Sequence, residues 1–191
     1  PGIMGPMQPD AISLAILFAD VSGSTRLYET LGDKAALERI ERCLALLGTV
    51  AHRHQGEVVK TIGDEIMCTF PDAPRAVEAA CAMQAEMTAH AAAGGLPLHI
   101  RIGLHLGEAI REDADVFGDA VNVASRMAGL AKADQIITTR HTVDRLPPVL
   151  RADTRCLGRA PVKGKREEIE ICEIIWQQGG DLTLMPAAVF K

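Results

Sequence analysis

Two aspartates stand where a hydrophobic core would not place them. Asp20 closes the apolar run Ile16-Leu17-Phe18-Ala19, and Asp64 sits in a glycine turn, Ile62-Gly63-Asp64-Glu65. Carboxylates where a strand stops suit Mg²⁺, which takes a few protein oxygens and completes its shell with water and substrate phosphates. Two such acids could hold a pair of ions and drive an in-line displacement at phosphorus. A second set lies downstream. Asn122 and Arg126 are four residues apart, so they share one face of a helix. An amide and a guanidinium so spaced can present themselves to a sugar–phosphate; a solvated polar stripe would have the same spacing. The basic turn Val162-Lys163-Gly164-Lys165-Arg166 could reach the outer phosphates of a nucleotide, and short basic runs are also common on plain solvated surfaces.

These groups need elements to hold them. Ile12, Leu14, Ile16 and Phe18 alternate, which predicts a strand over 11–19 that delivers Asp20 at its end. Ser22-Gly23-Ser24 can open a short helix with free backbone N–H groups. Asp33 is placed to cap a longer helix, whose stripe Leu37, Ile40, Leu44, Leu47 and Ala51 is stopped by Gly56. Residues 56–70 form a hairpin with Gly63-Asp64 at its turn. Pro71-Asp72-Ala73-Pro74 starts an alanine-rich helix that runs to Gly94-Gly95. Leu98, Ile100, Ile102, Leu104 and Leu106 alternate with His99, Arg101, Gly103, His105 and Gly107, which predicts a half-buried antiparallel strand. Arg111 to Asp115 is a polar loop or hairpin tip, and Gly118-Asp119 opens a helix from Ala120 to about Lys132. Short strands follow near 136–137, 155–157 and 169–175. This order predicts an α+β sandwich with helices on one face of a mostly antiparallel sheet.

The chain has 191 residues, enough for one domain with a core of its own. Its formal net charge of −5 and 3% aromatic content argue against nucleic acid as a partner, since neither a basic surface nor stacking platforms are available. The longest apolar stretch, 11–19, is too short to cross a bilayer, and no signal peptide is visible, so the expected setting is cytoplasmic, without membrane contact by this segment. A membrane anchor in a longer parent protein stays open. The five cysteines show no Cys-x-x-Cys pair and lie in or near apolar stretches, which predicts buried, reduced thiols. Residues 1–10 read as a flexible segment, 11–176 as the folded domain, and 177–191 as a linker or tail that could lead to another module.

Together, Phe18-Ala19-Asp20-Val21-Ser22-Gly23-Ser24-Thr25, Lys60-Thr61-Ile62-Gly63-Asp64, the stretch from Asp115 to Met127 with its Gly118-Asp119-Ala120-Val121-Asn122-Val123-Ala124-Ser125-Arg126 core, and Val162-Lys163-Gly164-Lys165 resemble the class III adenylate/guanylate cyclases. The resemblance covers about 11–176 and is most specific in the third stretch. It implies a ferredoxin-like, palm-type α+β sandwich that converts a nucleoside triphosphate to its 3′,5′-cyclic monophosphate and pyrophosphate. By that resemblance Asp20, Asp64 and the backbone carbonyl of Val21 would hold two divalent cations, Mg²⁺ or Mn²⁺. Ser22, Gly23, Ser24 and Thr25 would cradle phosphates, Asn122 would orient the ribose, Arg126 would stabilise the transition state, and Lys163 would contact the terminal phosphates.

Lys60 and Asp115 match the family's base-selecting positions. A donor and an acceptor there fit adenine and oppose guanine, so ATP is the expected substrate; guanylate cyclases usually carry Glu and Cys. An exposed strand lysine and a loop-tip acid would look alike in sequence. The family's sites lie across a head-to-tail homodimer, and this chain carries the residues of both halves, with regulatory domains possible in a parent chain. Ser24 in place of a common Phe is similar to bacterial members. The rivals are a guanylate cyclase, a diguanylate cyclase (whose Gly-Gly-Asp-Glu-Phe signature Gly63-Asp64-Glu65 only partly matches) and a non-catalytic nucleotide-sensing dimerisation module.

Overall fold

The computed structural model describes residues 10–93 and 97–177. β1 (Ile12–Ser22) leads into α1 (Ser24–Leu31) and α2 (Asp33–Arg53). A hairpin of β2 (Glu57–Ile62) and β3 (Glu65–Phe70) follows, then α3 (Ala73–Ala92), β4 (His99–Glu112), β5 (Asp115–Phe117) and α4 (Asp119–Leu130). β6 (Ile136–Thr139), the short helices α5 (Arg140–Val143) and α6 (Pro148–Arg151), and the strands β7 (Thr154–Ala160) and β8 (Ile169–Ile174) complete the described order. The sheet runs β2-β3-β1-β4-β6-β8-β7, with β5 paired to β4. Every pairing is antiparallel except β4 with β6. The α+β class and the mostly antiparallel sheet agree with the sequence reading.

The helices do not share one face. Ala15, Leu17, Ala19 and Val21 of β1 point into a core built with α2 and α3. Leu14, Ile16 and Phe18 point the other way, against Ala120, Ala124 and Ala128 of α4. Both faces of the central strand are therefore buried, and the sheet is covered on both sides. The strand's unbroken apolar run, rather than its alternation, carried that information.

β4 departs from expectation for the same reason. Of the row Arg101, Gly103, His105, Gly107, the last three do not face solvent but lie under α4. A Cβ on Gly103 would sit 1.9 Å from the backbone nitrogen of Ala128, and one on Gly107 would sit 2.9 Å from the Ala120 Cβ. The two glycines are the groove in which the helix rests.

Smaller corrections concern ends. Gly32, not Asp33, occupies the cap position of α2, and Asp33 lies in its first turn. Asp72 caps α3 as expected, accepting from the Arg75 N–H at 2.9 Å. Of the two readings of Arg111 to Asp115, loop or hairpin tip, the structure has the hairpin tip, with Glu112 opposite Asp115. Cys156 is exposed, whereas buried thiols were expected. Gly94-Gly95, the 1–9 segment and the tail after Gln177 lie outside the described residues.

Candidate active site

Asp20 continues the row Leu14, Ile16, Phe18 on the α4 side of the sheet and is only 8% exposed. Its neighbours across the sheet are Glu65 on β3 and Arg101 on β4, each directly opposite it. Residues opposite one another in antiparallel strands project to the same face, so acid, acid and guanidinium form one transverse row. Arg101 donates from Nε at 2.8 Å and from Nη2 at 2.6 Å, both to Asp20 Oδ2.

The β2–β3 turn delivers the second aspartate. Gly63 takes φ +59, a conformation that suits glycine at the first place of a two-residue hairpin loop. The Val21 N–H donates to the Asp64 carbonyl at 3.1 Å, which docks the turn on the end of β1. The Asp64 and Asp20 carboxyls then come within hydrogen-bonding range. Burial raises the Asp20 pKa, the Arg101 hydrogen bond pulls it back, and Asp64 raises it further. Glu65 is also raised, first by burial and then by the charges of Asp20 and Asp64. Three carboxyls thus share this corner of the sheet with one guanidinium, which holds Asp20.

Hard oxygens in surplus are what a divalent cation requires, and the Val21 carbonyl adjoins them. The donor set fits Mg²⁺ or Mn²⁺ with water or phosphate completing the shell. It is not a closed protein cage: among the described residues no group of three or more His, Cys, Asp or Glu is arranged to hold an ion. Just beyond Val21, Gly23 at φ +77 precedes α1, and no side chain caps that helix start. Ser22, Gly23, Ser24 and Thr25 thus leave backbone N–H groups at a helix N-terminus beside the acid pair.

The remaining residues gather elsewhere. Lys60 on β2 and Asp115 on β5 meet, Nζ to Oδ2, at 3.0 Å. The Lys60 hydrogen bond, and then the Val116 N–H, hold the Asp115 carboxyl below its ordinary range. Asn122 and Arg126 are exposed on α4, on the side away from the alanines that touch the sheet. The Arg126 Nε donates to the Pro161 carbonyl at 3.3 Å, so this face of α4 adjoins the β7–β8 loop that carries the exposed Lys163. Lys165 of that loop pairs with Asp119 at 2.5 Å. Among the described residues no hydrogen bond or ion pair joins the acid pair to Asn122 or Arg126. A cavity of about 600 Å³ beneath the start of α4 is lined by His105, Gly107, Asp119 and Lys165, and contains neither metal-type aspartate.

Arg101 was missed from sequence. It sits in a strand of alternating character, and its partner is 81 residues away. Only the β1–β4 register reveals the pair; the one signal in the sequence was a charged residue in a row otherwise of glycine and histidine.

Known proteins resemble this chain in sequence and in fold. The model of the adenylate and guanylate cyclase catalytic domain matches residues 7–174. A putative adenylate cyclase 3 of Rhizobium meliloti is 40% identical over 121 residues, covering 61% of this chain and 20% of the relative. An adenylate cyclase of Anabaena cylindrica is 33% identical over 182 residues, covering 84% of this chain and 36% of the relative. The chain therefore spans well under half the length of these relatives. Among solved structures, an adenylate/guanylate cyclase/hydrolase from Silicibacter pomeroyi superposes with a TM-score of 0.78 at 26% identity, covering 88% of this chain and 99% of that one. The adenylyl cyclase CyaB from P. aeruginosa gives 0.76 at 24% identity, covering 91% and 98%, a likeness of fold. No helix among the described residues is long and apolar enough to cross a membrane.

Proposed function

The chain belongs to the adenylate and guanylate cyclase catalytic domain family, and from that premise we propose that residues 11–176 form a catalytic unit that converts ATP to 3′,5′-cyclic AMP and pyrophosphate, at a site closed by a second copy of the chain. The observation that carries this reading is the pair Asp20 and Asp64. The fold brings them together where burial first, and then Asp64, raises the Asp20 pKa, beside Arg101.

Asp20, Asp64 and the Val21 carbonyl are the groups that would hold two divalent cations. Such cations favour the alkoxide of the ribose 3′-OH and neutralise charge on the triphosphate. The helix start at Ser22 to Thr25 offers backbone N–H groups to phosphate oxygens. Arg101, which neutralises Asp20 in the free chain, is placed to turn onto the triphosphate. Lys60 and Asp115 present a donor and an acceptor whose spacing is already set by their contact with each other, which supports adenine over guanine. Arg126 stabilises charge on the α-phosphoryl group, Asn122 holds the ribose, and Lys163 meets the terminal phosphates.

A second copy is needed because of how α4 packs. Its small residues are buried on the sheet, so Asn122 and Arg126 point away from the face that carries Asp20. A head-to-tail homodimer would bring the outward face of one α4 to the acids of its partner, giving two composite sites.

The test is complementation, with the product identified by chromatography. Asp20→Ala and Arg126→Ala proteins should each lose on the order of 10³-fold in kcat. When mixed, they should regain about a quarter of wild-type activity, because random exchange makes half the dimers mixed and each of those has one intact site. Well-formed mixed dimers without activity would remove the shared site. Wild-type protein that binds ATP and Mn²⁺ without forming cyclic nucleotide would leave a sensing module instead.

A further inference from the structure

We propose that Cys156 and Cys172 form a reversible modification site, closing to a cross-strand disulfide when the chain meets a hydroperoxide. The two cysteines are sixteen positions apart in sequence, but the β7–β8 register sets them directly opposite one another. Opposite residues in an antiparallel pair have Cα atoms about 4.5–5.5 Å apart and side chains on the same face. That separation lies inside the range a disulfide spans, about 4.4–6.8 Å between Cα atoms.

Three further observations act on the pair. First, the two thiols sense each other: burial, and then the neighbouring Cys156, raise the pKa of Cys172. Second, the register is pinned one rung away by Arg155 and Glu173, joined at 2.6 Å across the same two strands. The hairpin cannot slip to separate the sulfurs without breaking that ion pair. Third, access differs between the two. Cys156 is exposed on the edge strand β7, whereas Cys172 is fully buried. The guanidinium of Arg140 interacts electrostatically with both sulfurs and pairs with Glu170 at 3.5 Å.

The chemistry divides accordingly. The Cys156 thiolate attacks the outer oxygen of the hydroperoxide; the O–O bond breaks, and the departing alkoxide or hydroxide takes up a proton as alcohol or water. Cys156 is left as the sulfenic acid. The Cys172 sulfur then attacks the Cys156 sulfur. The S–O bond breaks, and hydroxide leaves with the Cys172 proton as water. Two electrons pass from the sulfurs to the peroxide. A dithiol reductant reverses the bond by exchange at the exposed sulfur. The loop between these strands carries Lys163, so the cross-link would clamp the hairpin that presents it. The other three cysteines have no such partner: Cys43 and Cys68 are buried, with pKa values pushed up by burial to about 11 and about 12, and Cys81 is likewise raised to about 11.

The experiment is peroxide titration of the full chain, followed by non-reducing peptide mapping and intact mass, a readout independent of cyclase activity. The expected result is the loss of two hydrogens per chain, a peptide pair linked through Cys156 and Cys172, and return of both thiols with a dithiol reductant. Cys172→Ser should abolish the link and leave Cys156 as a sulfenic acid trappable by a 1,3-dione. Cys156→Ser should leave Cys172 unreacted at the same dose. Sulfinic or sulfonic acid at wild-type Cys156 without a link, links to other cysteines, or cross-linking only between chains would each overturn the proposal.

Discussion

Arg101 holds Asp20 from the neighbouring strand, with Nε at 2.8 Å and Nη2 at 2.6 Å from one carboxylate oxygen. The guanidinium is the positive charge nearest Asp20 in the corner of the sheet that Asp20, Asp64 and Glu65 share. Removing it leaves three carboxyls facing each other. Arg101→Met should therefore destabilise the metal-free chain by about 1–3 kcal/mol, the usual cost of stripping a hydrogen-bonded charge of its partner. The same variant should gain more from Mn²⁺ than wild type does, because the ion then supplies the missing positive charge. Thermal melts with and without Mn²⁺ check this. An equal Mn²⁺-induced rise in Tm for both proteins would show that Arg101 is not the stand-in charge.

Lys60 and Asp115 hold each other at 3.0 Å, across β2 and the β4–β5 hairpin. If they read the base, their chemistry decides which base is read. Lys60→Glu with Asp115→Cys reverses the donor and acceptor pattern and should lower kcat/KM for ATP by roughly 10²-fold or more, while that for GTP rises. Kinetics with both nucleotides give the answer. If the ATP to GTP ratio of kcat/KM is unchanged, the pair is structural.

Much of this was legible in the sequence, and the limits have physical causes. The strand that carries Asp20, the hairpin turn at Gly63-Asp64 and the cap at Asp72 follow from local rules, and the structure has each of them, although the strand runs two residues past Asp20 to Ser22. The motifs that carry the family resemblance are also contiguous in sequence. What escaped depends on register between distant strands. Arg101 opposite Asp20 and Cys156 opposite Cys172 are cross-strand facts with no trace in local spacing. The second covered face of the sheet escaped for another reason. Glycine in a strand reads as a break in hydrophobic patterning, yet Gly103 and Gly107 are where a helix comes closest.

Gly103 gives a prediction about the fold itself. Its added Cβ would meet Ala128 at backbone atoms, 1.9 Å from N and 2.5 Å from Cα, so no side-chain rotation relieves the clash. Gly103→Ala should cost at least as much as ordinary overpacking, about 1–3 kcal/mol or more. Because α4 also carries Asn122 and Arg126, its displacement should reduce activity even where the chain stays folded. Chemical denaturation beside an activity assay separates the two effects. A variant as stable as wild type would mean that α4 does not lie on β4 as described.

His105 supplies the pH dependence. It lies in the Gly103–Gly107 row under α4, with Nδ1 2.8 Å from Thr139 Oγ1 and its ring 5.8 Å from that of His141. Burial, then the positive charges of His141 and Lys165, lower its pKa from 6.5 to about 4, with Asp119 acting weakly the other way. The unfolded chain therefore binds the proton more readily than the folded chain between those values. Stability from neutral His105 is fully present above about pH 6.5 and is lost as pH falls toward 4. Asp20 and Glu65 act in the opposite sense: their raised pKa values make the metal-free fold less stable as pH climbs above the ordinary carboxylate range. Comparison with His105→Gln cancels that background. Between pH 6.5 and 4, wild-type stability should fall more steeply than the variant's, the difference in slope approaching about 1.4 kcal/mol per pH unit for one proton. Urea denaturation at several pH values measures both slopes, and parallel curves would mean that His105 takes up its proton as readily in the folded chain as in the unfolded one.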